Sequence, residues 1–90
     1  MSLLGTPLEL DPQVSLRPEP FGALAYHYRT RRLVFLKHRD VVAVATALTA
    51  HPTLGATLQA CGIDESRWPS FDHAFRSLSE SEIVRERVAG

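Results

Sequence analysis

The hydrophobic pattern of the chain changes its period twice. Between Ala23 and Tyr28 two sets alternate, Leu24, Tyr26 and Tyr28 against Ala23, Ala25 and His27. A period of two is expected where successive side chains of a strand point to opposite faces. After Arg29-Thr30-Arg31 the pattern resumes as Arg32-Leu33-Val34-Phe35-Leu36-Lys37, with the aromatic and branched residues that favour strands. The two runs predict a β-hairpin with strands at about 22–28 and 32–37. The interruption holds neither glycine nor asparagine, which adopt positive φ easily. A longer loop, or a strained Arg or Thr, is expected in their place. A short alternating run at 14–17 predicts an earlier strand, stopped by Pro18 and Pro20. Nothing later resembles another long strand, so one edge of the 32–37 strand is expected to lack a partner.

Beyond the hairpin the period becomes helical. Val41, Val44, Ala45 and Leu48 recur on one face, with Asp40 as the expected N-cap. Pro52 disfavours the α region at His51 and ends this helix. Thr53 caps a second, shorter helix carrying Leu54, Leu58 and Cys61, with Gly62 in the left-handed position after it and Ile63 folding back onto it. A third helix begins between Asp64 and Ser66. With Ser66 as N-cap, Pro69 falls at the third helical position, where a missing N–H does no harm. Trp68, Phe71, Phe75 and Leu78 form its apolar stripe. Ile83-Val84 reads as a last short strand or an extended tail. Residues 1–12 show no sustained period and read as an N-terminal arm, partly ordered through Leu8 and Leu10, which leaves 13–90 as a single domain. The predicted class is α+β: a winged helix-turn-helix-like domain with a small antiparallel three-stranded sheet and three short helices.

Composition narrows the function by exclusion. Ninety residues hold one core, and 44% apolar residues fit a globular chain. Ten basic and ten acidic residues cancel, so no overall field draws nucleic acid or an anionic membrane. The charges are unevenly placed: Arg29, Arg31, Arg32, Lys37 and Arg39 occur without an acid among them, while the C-terminal third is more acidic. A lone Cys61 excludes an intrachain disulfide framework and fits a reducing compartment. The N-terminus lacks signal-peptide features and no window approaches the roughly 20 apolar residues of a membrane span. A cytoplasmic protein is expected. His27, His38, His51 and His73 form no i,i+4 pair, Cys61 has no activating neighbour, no carboxylates pair in an apolar frame, and the glycines make no phosphate loop. No catalytic residue, metal or cofactor is expected.

Three readings of the basic stretch remain. It guards an exposed strand against aggregation. It belongs to a small winged-helix DNA-binding regulator, although the third helix carries an aromatic stripe with Asp72 and Glu80 where base-reading residues are needed. Or the free edge of the strand takes up an extended peptide through main-chain hydrogen bonds, with Arg31, Arg32 and Lys37 attracting an acidic segment. In that case the aromatic stripe is core, and Ala74 and Leu78 at its margin floor a groove. The same free edge also permits strand-to-strand pairing, so a monomer or weak dimer is expected.

The run RPEPFGALAYH followed by TRRLVFLK, within residues 17–52, resembles the mycofactocin-system peptide chaperones, part of the wider group that includes the peptide chaperone of pyrroloquinoline quinone biosynthesis. The similarity continues more weakly through Ala60-Cys61-Gly62-Ile63-Asp64 and through residues 81–87. The resemblance implies a winged-helix recognition domain without catalytic activity. It would bind the leader of a ribosomally synthesised precursor peptide and present it to a radical S-adenosylmethionine maturase. It also implies that the leader lies as an added strand along the third strand of the sheet, beside the third helix. The resemblance maps these elements to Leu33, Val34, Phe35, Leu36 and Lys37 and to the helix bearing Phe71 and Phe75; with Arg31, Arg32, Ala74 and Leu78 from the pattern above, these are the expected peptide-binding residues.

Overall fold

The computed structural model describes residues 2–87. Its strands are β1 (Leu8–Leu10), β2 (Val14–Glu19), β3 (Gly22–His27), β4 (Leu33–Leu36) and β5 (Val84–Glu86). Its helices are α1 (Arg39–Ala47), α2 (Leu54–Ala60) and α3 (Trp68–Glu80), with 3-10 turns at Leu48–Ala50 and Glu65–Arg67. The chain is thus α+β. One antiparallel sheet has the order β2-β3-β4, and a second, two-stranded sheet joins β1 to β5.

The hairpin forms where the alternation predicts it. Of the two alternating sets in β3, the small one is buried: Ala23, Ala25 and His27 are each at most 1% exposed. Helix α1 packs directly on β3, so only small side chains fit between helix and sheet. Leu24 and Tyr26 fall on the outer face with Arg17, Phe35 and Leu33 as cross-strand partners. β2 does not stop at Pro18 as expected but runs through it to Glu19. Tyr28 donates its amide to Gln13 O. The ladder alternates from that pair, so the amide position of residue 18 faces away from β3. An edge strand tolerates proline there, because the missing N–H has no partner to lose.

The helices follow their predicted stripes with shifted starts. α1 is entered from His38 with no side-chain cap, correcting Asp40 as the N-cap; Asp40 lies in the first turn and pairs with Arg67 at 2.9 Å. A carboxylate there suits the positive end of the helix dipole. Thr53 caps α2 by accepting from the Ala56 amide, as its position predicts. Gly62 has φ +74° and Ile63 donates back to Leu58 O, a left-handed helix end with Ile63 buried behind it. Ser66 is not the cap of the third helix. Asp64 accepts from the Ser66 amide to open a 3-10 turn, and α3 proper begins at Trp68, which places Pro69 at the second position, harmless for the same reason. Phe71, Phe75 and Leu78 enter the core together with Leu36, Val44, Leu48, Leu54 and Leu58.

Ile83-Val84 resolves toward a strand. Ile83 and Val84 are buried and β5 pairs with β1, where Leu8 is 2% exposed. The N-terminal segment is therefore bound at several points. Leu3 donates to Asp72 Oδ1 at 2.6 Å, Leu4 O accepts from Gly55, Thr6 O accepts from Leu54, and Arg85 pairs with Glu9 at 2.6 Å. Two isolated apolar residues, Leu8 and Leu10, carry too short a pattern to announce a strand.

Candidate functional site

β4 forms one edge of its sheet. His27 donates its amide to Arg32 O, and the register pairs Ala25 with Val34 and Ala23 with Leu36. Alternation along an antiparallel ladder then turns the amides and carbonyls of Val34 and Leu36 toward β3 and those of Leu33 and Phe35 outward. The outward groups have no strand partner among the described residues. The sequence reading of an unpaired edge thus holds for β4.

The edge overhangs an apolar groove. Val34, Leu36 and Lys37 form one wall, and Val41, Ala74, Ser77 and Leu78 the other, around about 310 Å³. His38, Val41 and Ala74 continue into an adjoining hollow of about 280 Å³ that reaches Arg67, Ser70 and Phe71. Of the helix residues in the expected set, Ala74 is half-buried and lines the groove, and Leu78 reaches it from the core. Phe71 is 4% exposed and touches only the adjoining hollow. Phe75 is fully buried in the core and lines neither hollow. Val41, His38 and Ser77 were not among the expected site residues. The sequence carries a signal for Ser77, which is three positions from Ala74 on one helix face, whereas the helical stripe assigns Val41 to the core.

On the opposite face of the strand Leu33 and Phe35 are each more than half exposed. Phe21 packs edge-on against Phe35 with ring centroids 6.0 Å apart. The basic residues lie at the two ends of the strand, with Arg29, Arg31 and Arg32 exposed at its start and Lys37 exposed at its end. By contrast, the guanidiniums of α3 and its entry face carboxylates, Arg67 at Asp40 and Arg76 at Asp72. That pairing does not suit a helix meant to contact phosphates.

Two features fix the position of β4. At its start, residues 28–32 form the longer loop that is one of the two expected solutions, and within it Arg31 holds φ +62°, the strained arginine that is the other. The fully buried His27 stabilises this turn, since its Nδ1 accepts from the amides of Arg29 and Thr30, both at 3.2 Å. An accepting Nδ1 leaves the ring proton on Nε2, which lies 3.6 Å from Asp11 Oδ1. The Asp11 carboxyl is held below its ordinary range, first by the amide of Gln13 and further by the His27 ring and Arg85. At the other end of β4, Gly22 has φ +151°, and a side chain there would collide with the Leu36 carbonyl. Only glycine lets the β2–β3 corner approach β4 so closely.

Among the described residues no group of three or more His, Cys, Asp or Glu side chains stands ready to hold a metal ion. No single helix there is long and apolar enough to cross a membrane.

Comparison with known proteins gives the chain a family. The model of the peptide chaperone MftB family matches residues 7–85. The chain is 44% identical to the peptide chaperone MftB of Mycobacterium ulcerans over 75 residues, 83% of this chain and 69% of the relative. It is 41% identical to that of Mycobacterium tuberculosis over 78 residues, 87% of this chain and 72% of the relative. It is 44% identical to that of Mycolicibacterium smegmatis over 75 residues, 83% of this chain and 74% of the relative. No solved structure matches the chain significantly. The chain belongs to the peptide chaperone MftB family.

Proposed function

We propose that this protein is a non-catalytic peptide chaperone of mycofactocin biosynthesis. It binds the leader of a ribosomally synthesised precursor peptide by adding it as a strand to β4, and presents it to a radical S-adenosylmethionine maturase in the cytoplasm. The observation that carries this reading is the unpaired edge of β4 above an apolar groove shared with α3. An extended peptide gains main-chain hydrogen bonds from such an edge and side-chain selectivity from such a groove. The exposed Arg31, Arg32 and Lys37 at the two ends of the edge favour an acidic segment and speed its encounter. Leu33, Val34, Phe35, Leu36, Ala74 and Leu78 then contact the peptide, with Phe71 at the far end of the groove and Phe75 within the core. Three helices beside a three-stranded antiparallel sheet are compatible with a winged helix-turn-helix-like domain, in which the third helix takes the groove rather than DNA.

Isothermal titration with a synthetic mycofactocin-type precursor peptide, with and without the maturase, tests this reading. Saturable one-to-one binding, retained when the maturase is added, is expected. A folded protein that takes up no precursor under either condition refutes it.

A further inference from the structure

The groove explains only half of the side chains an added strand would carry. Side chains alternate between the two faces of a strand, so a peptide paired to β4 sends every second one away from the groove. The outward amides of Leu33 and Phe35 make these two residues the hydrogen-bonded positions of the free edge. The peptide residues directly opposite them therefore share the outer face with the Leu33 and Phe35 side chains. Directly opposed Cβ atoms on one face lie roughly 4.5–5.5 Å apart, within contact distance.

That outer face is built from apolar groups. Phe35 is 56% exposed, Leu33 53% and Phe21 44%. Phe21 and the Lys37 stem border Phe35 around a hollow of about 320 Å³. Scattered single exposed apolar residues need no explanation, but these three cluster beside the one strand edge that the proposed function uses. An unpaired edge flanked by exposed aromatics is also an aggregation hazard, which a bound strand would remove.

Resting on the strand-addition reading, we propose that Phe21, Leu33 and Phe35 form a second subsite of the peptide site, so that the captured strand is gripped on both faces. The substrate class follows. The recognised segment carries apolar side chains at successive positions, not only at alternate ones. Inward residues opposite Val34 and Leu36 fill the groove toward Ala74 and Leu78. Outward residues opposite Phe35 and Leu33 pack on the aromatic shelf, where a ring or a branched side chain fits against Phe21 and Phe35. In an antiparallel pairing the outward residue opposite Lys37 precedes them and is acidic, and an acidic residue also suits the far end, beside Arg31 and Arg32. A strand recognised through the groove alone would instead alternate apolar with arbitrary polar residues.

The test uses the full chain and a synthetic mycofactocin-type precursor peptide. Aspartate is substituted at each position of the bound segment in turn and affinity is measured by titration. Two-faced capture predicts losses of about tenfold or more at three or more consecutive positions, since each aspartate loses an apolar contact and puts an unpaired carboxylate against an apolar surface. Losses at every second position only would overturn the proposal while leaving strand addition intact. A second measurement uses the double variant Phe21→Ser with Phe35→Thr, which keeps the amide of residue 35 and a strand-favouring side chain. Its affinity is expected to fall about tenfold, with protection of the residue 33 and 35 amides retained at saturating peptide. An affinity within twofold of wild type overturns the second subsite. If the wild type itself shows no such protection when peptide is bound, the strand-addition reading fails and this proposal with it.

Discussion

Proline at position 35 separates the proposed binding role of β4 from its structural role. The Phe35 amide points away from β3, so Phe35→Pro leaves the β3–β4 ladder complete and removes only a donor that faces an incoming strand. Its ring also occupies the space where the peptide carbonyl would approach. Losing one hydrogen bond of this kind costs about 0.5–1.5 kcal/mol, and each 1.4 kcal/mol is a tenfold change in Kd. The aromatic ring is lost too, so the proper reference is Phe35→Thr. Relative to that variant, Phe35→Pro should weaken precursor binding by roughly five- to thirtyfold once the steric block is included. Titration calorimetry gives the affinities, and a circular-dichroism melt shows that both variants remain folded. Val34→Pro is the contrasting change: it deletes a bond to β3 and leaves the Ala25 carbonyl unpaired, a loss of about 1–3 kcal/mol. At about 4–8 °C per kcal/mol for a domain of this size, its melting temperature should drop by roughly 10 °C. A folded Phe35→Pro protein that binds as tightly as Phe35→Thr would refute strand addition at this edge.

Other expectations follow from the elements that hold β4. Arg31→Gly relieves a left-handed residue and should raise the melting temperature by a few degrees; combined with Arg32→Ala it should weaken precursor binding and flatten its salt dependence, and an unchanged salt response would remove these arginines from the site. His27→Asn keeps an acceptor near the position of Nδ1 whereas His27→Gln does not, so thermal melts should show the glutamine variant as the less stable by about 1–2 kcal/mol; equal losses would mean that the Arg29 and Thr30 amides do not depend on this acceptor. The Asp11 carboxyl is lowered from 3.8 on folding, so its contribution is present above that pH and is lost as pH falls through the lower folded value. Acid melts of Asp11→Asn should therefore show a shallower decline below about pH 4 than wild type, and identical slopes would contradict the carboxylate's role beside His27.

Much of this site was legible because an exposed edge strand has a sequence signature. Residues 32–37 combine strand-forming residues with flanking cations, and no later run offers a second long partner. The turn was also readable, since a hairpin without glycine or asparagine needs a longer loop or a strained residue, and residues 28–32 supply both, with Arg31 at positive φ. What failed to show was any feature decided by tertiary proximity. Alternation in β3 identifies two faces but cannot tell which one meets α1, and the closeness of that helix selects alanines over tyrosines. Leu8 and Leu10 form a strand only because β5 lies beside them, so a three-residue pattern near Gly5 and Pro7 reads as an arm. Asp40 has the chemistry of a cap, yet Arg67, which lies 27 positions later, takes its carboxylate. Alternation assigns His27 to one face of its strand, but its burial rests on the amides of a turn that local pattern does not describe. The outer shelf was hidden for the same reason, since Phe21 lies outside both predicted strands and meets Phe35 only across the folded sheet.

Amide hydrogen exchange of β4, followed residue by residue as the precursor peptide is added, tests the central claim most directly. The account predicts that Val34 and Leu36, already bonded to β3, are protected in the free protein. Leu33 and Phe35 should exchange quickly when free and become protected only when peptide is bound. Fast exchange of Leu33 and Phe35 in the saturated complex, or new protection confined to other elements, would contradict capture by strand addition at β4.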